Sequence, residues 1–258
     1  VTSGELRRVR ANVVLQTNYL HAVPRQGAGI CTVCYGAIDP QYTRCFKCKS
    51  TDSAARGNVA DLVVPITYRI DGQHAHDLRW YKKTDVSGTE AHRRRLAALF
   101  WYFRDHHIAC VKAAAGLSSF SHVCFVPSTK TPEHTHPLQE LLAPAVSTLC
   151  RIDLAVNTDV DSESREFHKD WFKLDRIPEG RRPEADVALI DDTWVTGSRA
   201  QSAAYRLKRA GARTVVVLVL ARQLDSAYAH TKRILGPIRD STYDLDDCAV
   251  HDQRRRTG

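Results

Sequence analysis

Residues 214–221 contain six aliphatic residues in a row, Val215 to Leu220, with no polar break. A strand with one face in water alternates apolar and polar residues, so an unbroken run must be covered on both faces, as inside a parallel sheet. Just upstream, residues 198–210 read as a helix closed by Gly211, and residues 187–190 as a second buried strand. The same alternation begins at residue 122, where residues 122–126 read as a strand ending at Pro127 and residues 138–149 as a helix. Strands separated by helices make a sheet with helices on both faces. The expected fold class is therefore α/β, a mainly parallel twisted sheet flanked by helices, over residues 58–222.

Ahead of residue 122 the signals are weaker. Residues 59–70 alternate loosely, and Asp71-Gly72 is a hairpin-type dipeptide, which together predict a strand pair. Ser87 stands three residues before Glu90, the spacing of a capping box. The helix that follows should cover residues 89–107, with Leu96, Leu99, Phe100 and Phe103 on its apolar side. Arg93, Arg94 and Arg95 lie near its first turns, where a solvated face is the default and contact with phosphate the sharper alternative. Residues 157–183 are charged, with few aromatics (Phe167, Trp171, Phe172), and read as an excursion from the sheet rather than core. Residues 223–258 form a C-terminal extension, in which Asp244 to Asp247 read as solvated loop and Arg254 to Arg256 as a frayed tail.

Eight cysteines divide into four patterned and four scattered. The patterned set is Cys31-x2-Cys34-x10-Cys45-x2-Cys48, two hooks that each set two thiolates on one tight turn. Four soft ligands in this arrangement suit structural Zn²⁺ and leave no open coordination position, so residues 1–57 are read as an N-terminal region with a small zinc-binding module. Cys110, Cys124 and Cys150 are expected as small buried hydrophobes. The histidine pairs His74/His76, His106/His107 and His134/His136 lack a second ligand motif at a convincing spacing, and surface or loop positions are expected for them.

Lys and Arg number 37 against 29 Asp and Glu, a net charge of +8. The excess lies in residues 1–121, because residues 122–222 balance fourteen bases with fourteen acids. Clustered cations attract phosphate backbones, so single-stranded DNA or a protein partner is a candidate for the N-terminal half. No apolar run reaches the roughly 18 residues of a membrane span, and the first thirty residues lack the apolar stretch of a signal peptide. The expected location is cytoplasmic.

The richest segment is Val187-Ala188-Leu189-Ile190-Asp191-Asp192-Thr193-Trp194-Val195-Thr196-Gly197-Ser198. A buried strand delivers two adjacent carboxylates, then a short loop of hydroxyls, glycine and amides enters a helix. Helix N-termini and successive loop amides hold phosphate, and ligands of open parallel sheets sit at the carboxyl ends of strands. The paired carboxylates could accept hydrogen bonds from a vicinal diol. Phosphate plus diol on one loop points to a ribose 5-phosphate.

This segment resembles the phosphoribosyl pyrophosphate (PRPP) motif of the type I phosphoribosyltransferases, and the cysteine hooks in front narrow the likeness to ComF-like proteins. Leu78 to Lys82 is similar to that family's Leu-Lys-Tyr segment, and Val126-Pro127-Ser128 to the start of its pyrophosphate loop. The likeness covers about residues 28–222. It implies the type I phosphoribosyltransferase fold and a bound Mg²⁺ with PRPP. Asp191 and Asp192 would hold the ribose hydroxyls, directly or through Mg²⁺, while Val195, Thr196, Gly197, Ser198 and Arg199 wrap the 5-phosphate. Ser128, Thr129 and Lys130 would face the pyrophosphate, with Asp191, Asp192 and Lys130 the catalytic set.

The implied reaction transfers ribose 5-phosphate from PRPP to a small, unidentified acceptor with release of pyrophosphate. Val195 stands where 6-oxopurine enzymes carry an aspartate base, which argues against hypoxanthine or guanine as acceptor. Arg199 replaces the usual Thr or Ser, and residues 134–138 replace the family's Arg-Gly-Phe-Asn-Gln. The alternatives are a ComF-like accessory protein that binds PRPP, nucleotide or single-stranded DNA in DNA uptake or recombination, and a non-catalytic PRPP sensor.

Overall fold

The computed structural model describes residues 3–83, 86–174 and 185–251. In chain order the elements are α1 (Ser3–Val14), α2 (Phe46–Ala55), β1 (Leu62–Arg69), α3 (Gly72–Trp80), α4 (Thr89–Ala114), β2 (His122–Phe125), α5 (Pro137–Leu142) and a 3₁₀ turn (Ala143–Val146). There follow β3 (Cys150–Ile152), β4 (Ala155–Val156), β5 (Phe172–Lys173), β6 (Ala185–Trp194), α6 (Ser198–Arg209), β7 (Ala212–Gln223) and α7 (Ala229–Asp240). Five strands pair in the order β1-β7-β6-β2-β3, and every pairing in this sheet is parallel. The fold is thus α/β, with helices on both faces of the sheet.

The aliphatic run explains the layering. Along β7, Val216, Leu218 and Leu220 enter the core formed with α4, while Val215, Val217 and Val219 enter the core formed with α6. Each such buried side chain stabilises the fold by roughly 1.5–3 kcal/mol. On the first face, Leu96, Leu99, Phe100 and Phe103 of α4 cover the sheet, joined by Val13 of α1. On the second, Ala200, Ala203, Ala204 and Leu207 of α6 let that helix approach closely, beside Cys31, Cys34 and Trp171. Gly211, at φ 102, ends α6 in the left-handed conformation that glycine tolerates.

Several expectations are corrected. Residues 59–70 do not form a hairpin: β1 is one strand, paired in parallel with β7 from Leu62↔Val216 to Arg69↔Gln223. Asp71 is instead the N-cap position of α3, with Gly72 at φ 71 turning the chain into the helix. A two-residue signal defines a turn but not its partner, and the buried β7 edge offers β1 a longer ladder. The capping box at Ser87 is absent, since Gly88 at φ 89 occupies the N-cap of α4 without a side-chain cap bond. That helix runs to Ala114, past residue 107, because His107 and Val111 continue its buried side. The helix of residues 138–149 breaks after Leu142 into the 3₁₀ turn, where Pro144 cannot supply an amide.

Trp171 and Phe172 are fully enclosed, so this part of the 157–183 stretch belongs to the core against α6. The rest of that stretch from residue 175, and Arg254 to Arg256, lie outside the described residues. Cys124 is buried as expected, whereas Cys150 is exposed and Cys110 only half-buried. Among the described residues, no helix is long and apolar enough to cross a membrane.

Candidate functional site

Strand β6 continues through the acid pair rather than stopping at residue 190. Asp191 sits opposite Val219 of β7 and Ile190 opposite Phe125 of β2, so the carboxylates emerge where β2 has just ended. From β2 the chain crosses to β3 on one side, and from β6 it crosses to β7 on the other. Loops leaving adjacent strands in opposite directions open a crevice at their carboxyl ends, the usual ligand position in open α/β sheets. Here the crevice is a cavity of about 240 Å³. It is lined by Ser128, Thr129 and Lys130 from the loop after β2, by Asp191 and Asp192, and by Val195, Thr196, Gly197, Ser198 and Arg199. Every residue that the resemblance assigns to PRPP or to catalysis lines this one cavity.

The loop into α6 is built tightly. Gly197 caps the helix at φ 78, and a Cβ there would lie 2.0 Å from the Trp194 ring. Only glycine can occupy this position. Thr196 Oγ1 donates to Arg165 O at 3.1 Å and accepts from the Ser198 amide at 3.4 Å, and it lies 3.0 Å from Ser198 Oγ. Arg199 turns away from the loop: its Nη2 donates to Ser162 O at 2.6 Å and its guanidinium lies 5.3 Å from the Trp171 ring centroid. Thr129 lines the cavity, while its Oγ1 is buried away from solvent and has no hydrogen-bond partner. Lys130 Nζ pairs with Glu163 Oε1 at 2.8 Å, and both side chains are mostly exposed, 60% and 70%.

Three participants escaped the sequence reading. Tyr81 OH donates to Asp192 Oδ2 at 2.7 Å, and Lys82 Nζ pairs with the same oxygen. The segment holding both was singled out from the sequence, but no local pattern joins it to a strand end more than a hundred residues away. His136 also lines the cavity; its Nδ1 accepts from the Leu138 amide at 3.1 Å and caps α5. Burial holds the His136 pKa below its ordinary value. With Nδ1 accepting, the neutral ring carries its proton on Nε2.

The two acids titrate apart. Burial, and then the neighbouring Asp192 charge, push the Asp191 carboxyl up to about 7. Burial acts upward on Asp192 too, but Lys82, His136 and the Tyr81 hydroxyl outweigh it and leave that carboxyl lowered. Asp192 is therefore the carboxyl that its neighbours favour as the anion, and Asp191 the one that burial and the adjacent charge favour in its protonated form.

The four patterned cysteines converge. Cys31, Cys34, Cys45 and Cys48 bring their Sγ atoms within 4.8 Å of one another, so the cluster could hold a metal ion. Cys34 Sγ and Cys45 Sγ are 3.8 Å apart. Metal–sulfur bonds of about 2.3 Å in a tetrahedron give edges of about 3.8 Å. The Cys45 amide points at Cys31 Sγ at 3.3 Å and the Cys48 amide at Cys45 Sγ at 3.4 Å, contacts that favour thiolates. This segment is tied to the sheet, where Arg222 Nε donates to Cys34 O at 3.1 Å and Tyr68 OH to Tyr35 O at 2.6 Å.

The arginine run is partly engaged. Arg95 forks onto Asp77 at 2.9 and 2.6 Å, Arg93 lies 3.5 Å from Glu140, and Arg94 is exposed. Of the histidines expected at the surface, His74 is enclosed, with its Nε2 2.7 Å from Thr67 Oγ1, and His107 is buried. Comparison with protein-family models, curated proteins and solved structures returns no match.

Proposed function

We propose that this chain has the type I phosphoribosyltransferase fold and transfers ribose 5-phosphate from PRPP to a small acceptor, releasing pyrophosphate. The observation that carries this reading is the crevice between β2 and β6, where an acid pair, a helix N-terminus and the 128–130 loop line a single cavity. In this reading the amides and hydroxyls of residues 196–199 hold the 5-phosphate at the start of α6. Asp191 and Asp192 accept hydrogen bonds from the ribose hydroxyls. Lys130 swings from Glu163 to the pyrophosphate at little cost, because an exposed pair of this kind is worth only about 0–1 kcal/mol.

The acceptor's lone pair attacks C1 as the C1–O bond breaks, and the electrons leave with pyrophosphate. Positioning and charge neutralisation carry such a step. Mg²⁺, when bound with PRPP, would neutralise the leaving group. The donor set suits it: Asp192 Oδ2 is occupied by Tyr81 and Lys82 and Asp191 Oδ1 accepts the Asp192 amide, so Asp192 Oδ1 and Asp191 Oδ2 would be its hard oxygen ligands. The acceptor has room in a neighbouring cavity of about 440 Å³ that shares Val195 and Thr196 with the first and presents Tyr42, Phe46 and Tyr228. Exposed aromatic faces of this kind suit a planar heterocycle. The four-cysteine cluster takes Zn²⁺ as a structural ion, since all four positions are filled by protein.

Calorimetric titration with PRPP and Mg²⁺, followed by a pyrophosphate-release screen over nitrogen nucleophiles, tests the reading. Saturable binding that is lost in the Asp191→Asn/Asp192→Asn variant is expected. Absence of PRPP binding, or binding unchanged in that variant, would overturn it.

A further inference from the structure

At the far end of α4 a second cluster of soft ligands forms from residues that the sequence scatters. His107 and Cys110 stand three apart on the helix and so share a face. Cys248 and His251 stand three apart on a turn closed by the His251 amide donating to Cys248 O at 3.0 Å. The two hooks, H-x2-C and C-x2-H, meet so that one ligand atom from each residue lies within 4.8 Å of the other three. We propose that His107, Cys110, Cys248 and His251 form a second, structural zinc site that fastens the C-terminal segment to the end of α4.

The geometry fits a tetrahedral ion. Cys110 Sγ and His251 Nδ1 are 3.6 Å apart. Metal bonds of about 2.3 Å to sulfur and 2.0–2.1 Å to nitrogen give a tetrahedral edge of about 3.6 Å between such a pair. His107 Nε2 lies 2.8 Å from Leu245 O, and its Nδ1 is buried without a partner. A ring nitrogen held by a backbone carbonyl is how ligating histidines are oriented, which leaves Nδ1 for the metal. A disulfide between Cys110 and Cys248 would leave that orphan nitrogen unexplained.

The rest of the segment is arranged to deliver the second hook. Tyr243 OH donates to Ile66 O at 3.2 Å, the Tyr243 amide to Thr17 O at 3.2 Å, and Arg25 pairs with Asp247 at 2.9 Å. Four protein ligands leave no open position, so the site is structural rather than catalytic. It holds together residues 107–110 and 248–251, and it does not depend on the transferase reading.

Metal analysis and X-ray absorption on the full-length protein, purified without chelator, test this. Two zinc ions per chain are expected, falling to one in Cys110→Ser/Cys248→Ser. Because a variant can fail by misfolding, the wild-type absorption spectrum gives an independent readout. Two sites would average three sulfurs and one nitrogen per zinc, whereas the four-cysteine site alone gives four sulfurs. One zinc per chain with an all-sulfur shell would overturn the proposal, as would a Cys110–Cys248 disulfide found by mass spectrometry in the native protein.

Discussion

The Tyr81 hydroxyl donates to Asp192 Oδ2 at 2.7 Å, across a sequence separation of 111 residues, and Lys82 Nζ pairs with the same oxygen. The C-terminal end of α3 therefore favours one carboxyl of the acid pair as the anion. Lys82 occupies the place where a cation would otherwise approach that oxygen. Replacing Lys82 with Gln should strengthen Mn²⁺ or Mg²⁺ binding several-fold in the absence of PRPP, read by calorimetry. Tyr81→Phe should destabilise the fold by about 1–3 kcal/mol in urea unfolding, since it removes a buried bond to a charge.

Asp191 predicts a pH dependence of opposite sign to that of a paired surface acid. Its carboxyl is raised from 3.8 to about 7 in the fold. Below the lower value both states are protonated and nothing is gained or lost. As pH rises the unfolded chain ionises first, so stability falls until the folded group ionises too. Asp191→Asn, a neutral mimic, should leave the melting temperature nearly unchanged at pH 4 and raise it at pH 8 by at least ~2 °C. The same variant should lose PRPP affinity, so that the site trades stability for binding.

Gly197 is the most exacting position of the loop. Alanine there meets a left-handed φ of 78 and a Trp194 ring 2.0 Å from its Cβ. Gly197→Ala should cost about 3 kcal/mol or more in equilibrium unfolding, through strain and overpacking. Weakened binding of PRPP should accompany it, because the amides of the α6 N-terminus shift with the loop.

Asp77 ties α3 to α4. Burial pushes its carboxyl up, but Arg95, His92 and Gln73 outweigh that and hold it below the usual range. An acid lowered in the fold contributes stability above its unfolded value, about 3.9, and loses it as pH falls through the folded one. Arg95→Ala should destabilise the protein by about 3 kcal/mol near neutrality, the low end for a broken buried pair. It should also flatten the loss of stability between pH 5 and 2, measured by denaturant midpoints across that range.

What the sequence determined by itself was local. The run from Val215 to Leu220 dictates burial on both faces because side chains alternate with period two, and the sheet indeed divides them between two cores. Gly211 announces a helix stop by conformational preference, and it takes a left-handed φ. The cysteine hooks converge because their spacings of two and ten residues confine the ligands to one short segment. The cavity residues from 191 to 199 likewise follow one another along strand, loop and helix.

Only the tertiary structure decided which distant pieces meet. Residues 59–70 carry the propensity of a strand without naming its neighbour, and the parallel ladder to β7 is selected by burial, not by the dipeptide at 71–72. Tyr81 and Lys82 reach Asp192 because α3 follows β1 at the same sheet end as the acids. Cys110 and His251 approach to 3.6 Å over a separation of 141 residues, each in a hook too short to be read as a ligand pair alone. Spacing encodes geometry over one turn of helix or loop, whereas contacts across the fold arise from the burial of apolar faces, which bring their polar neighbours along.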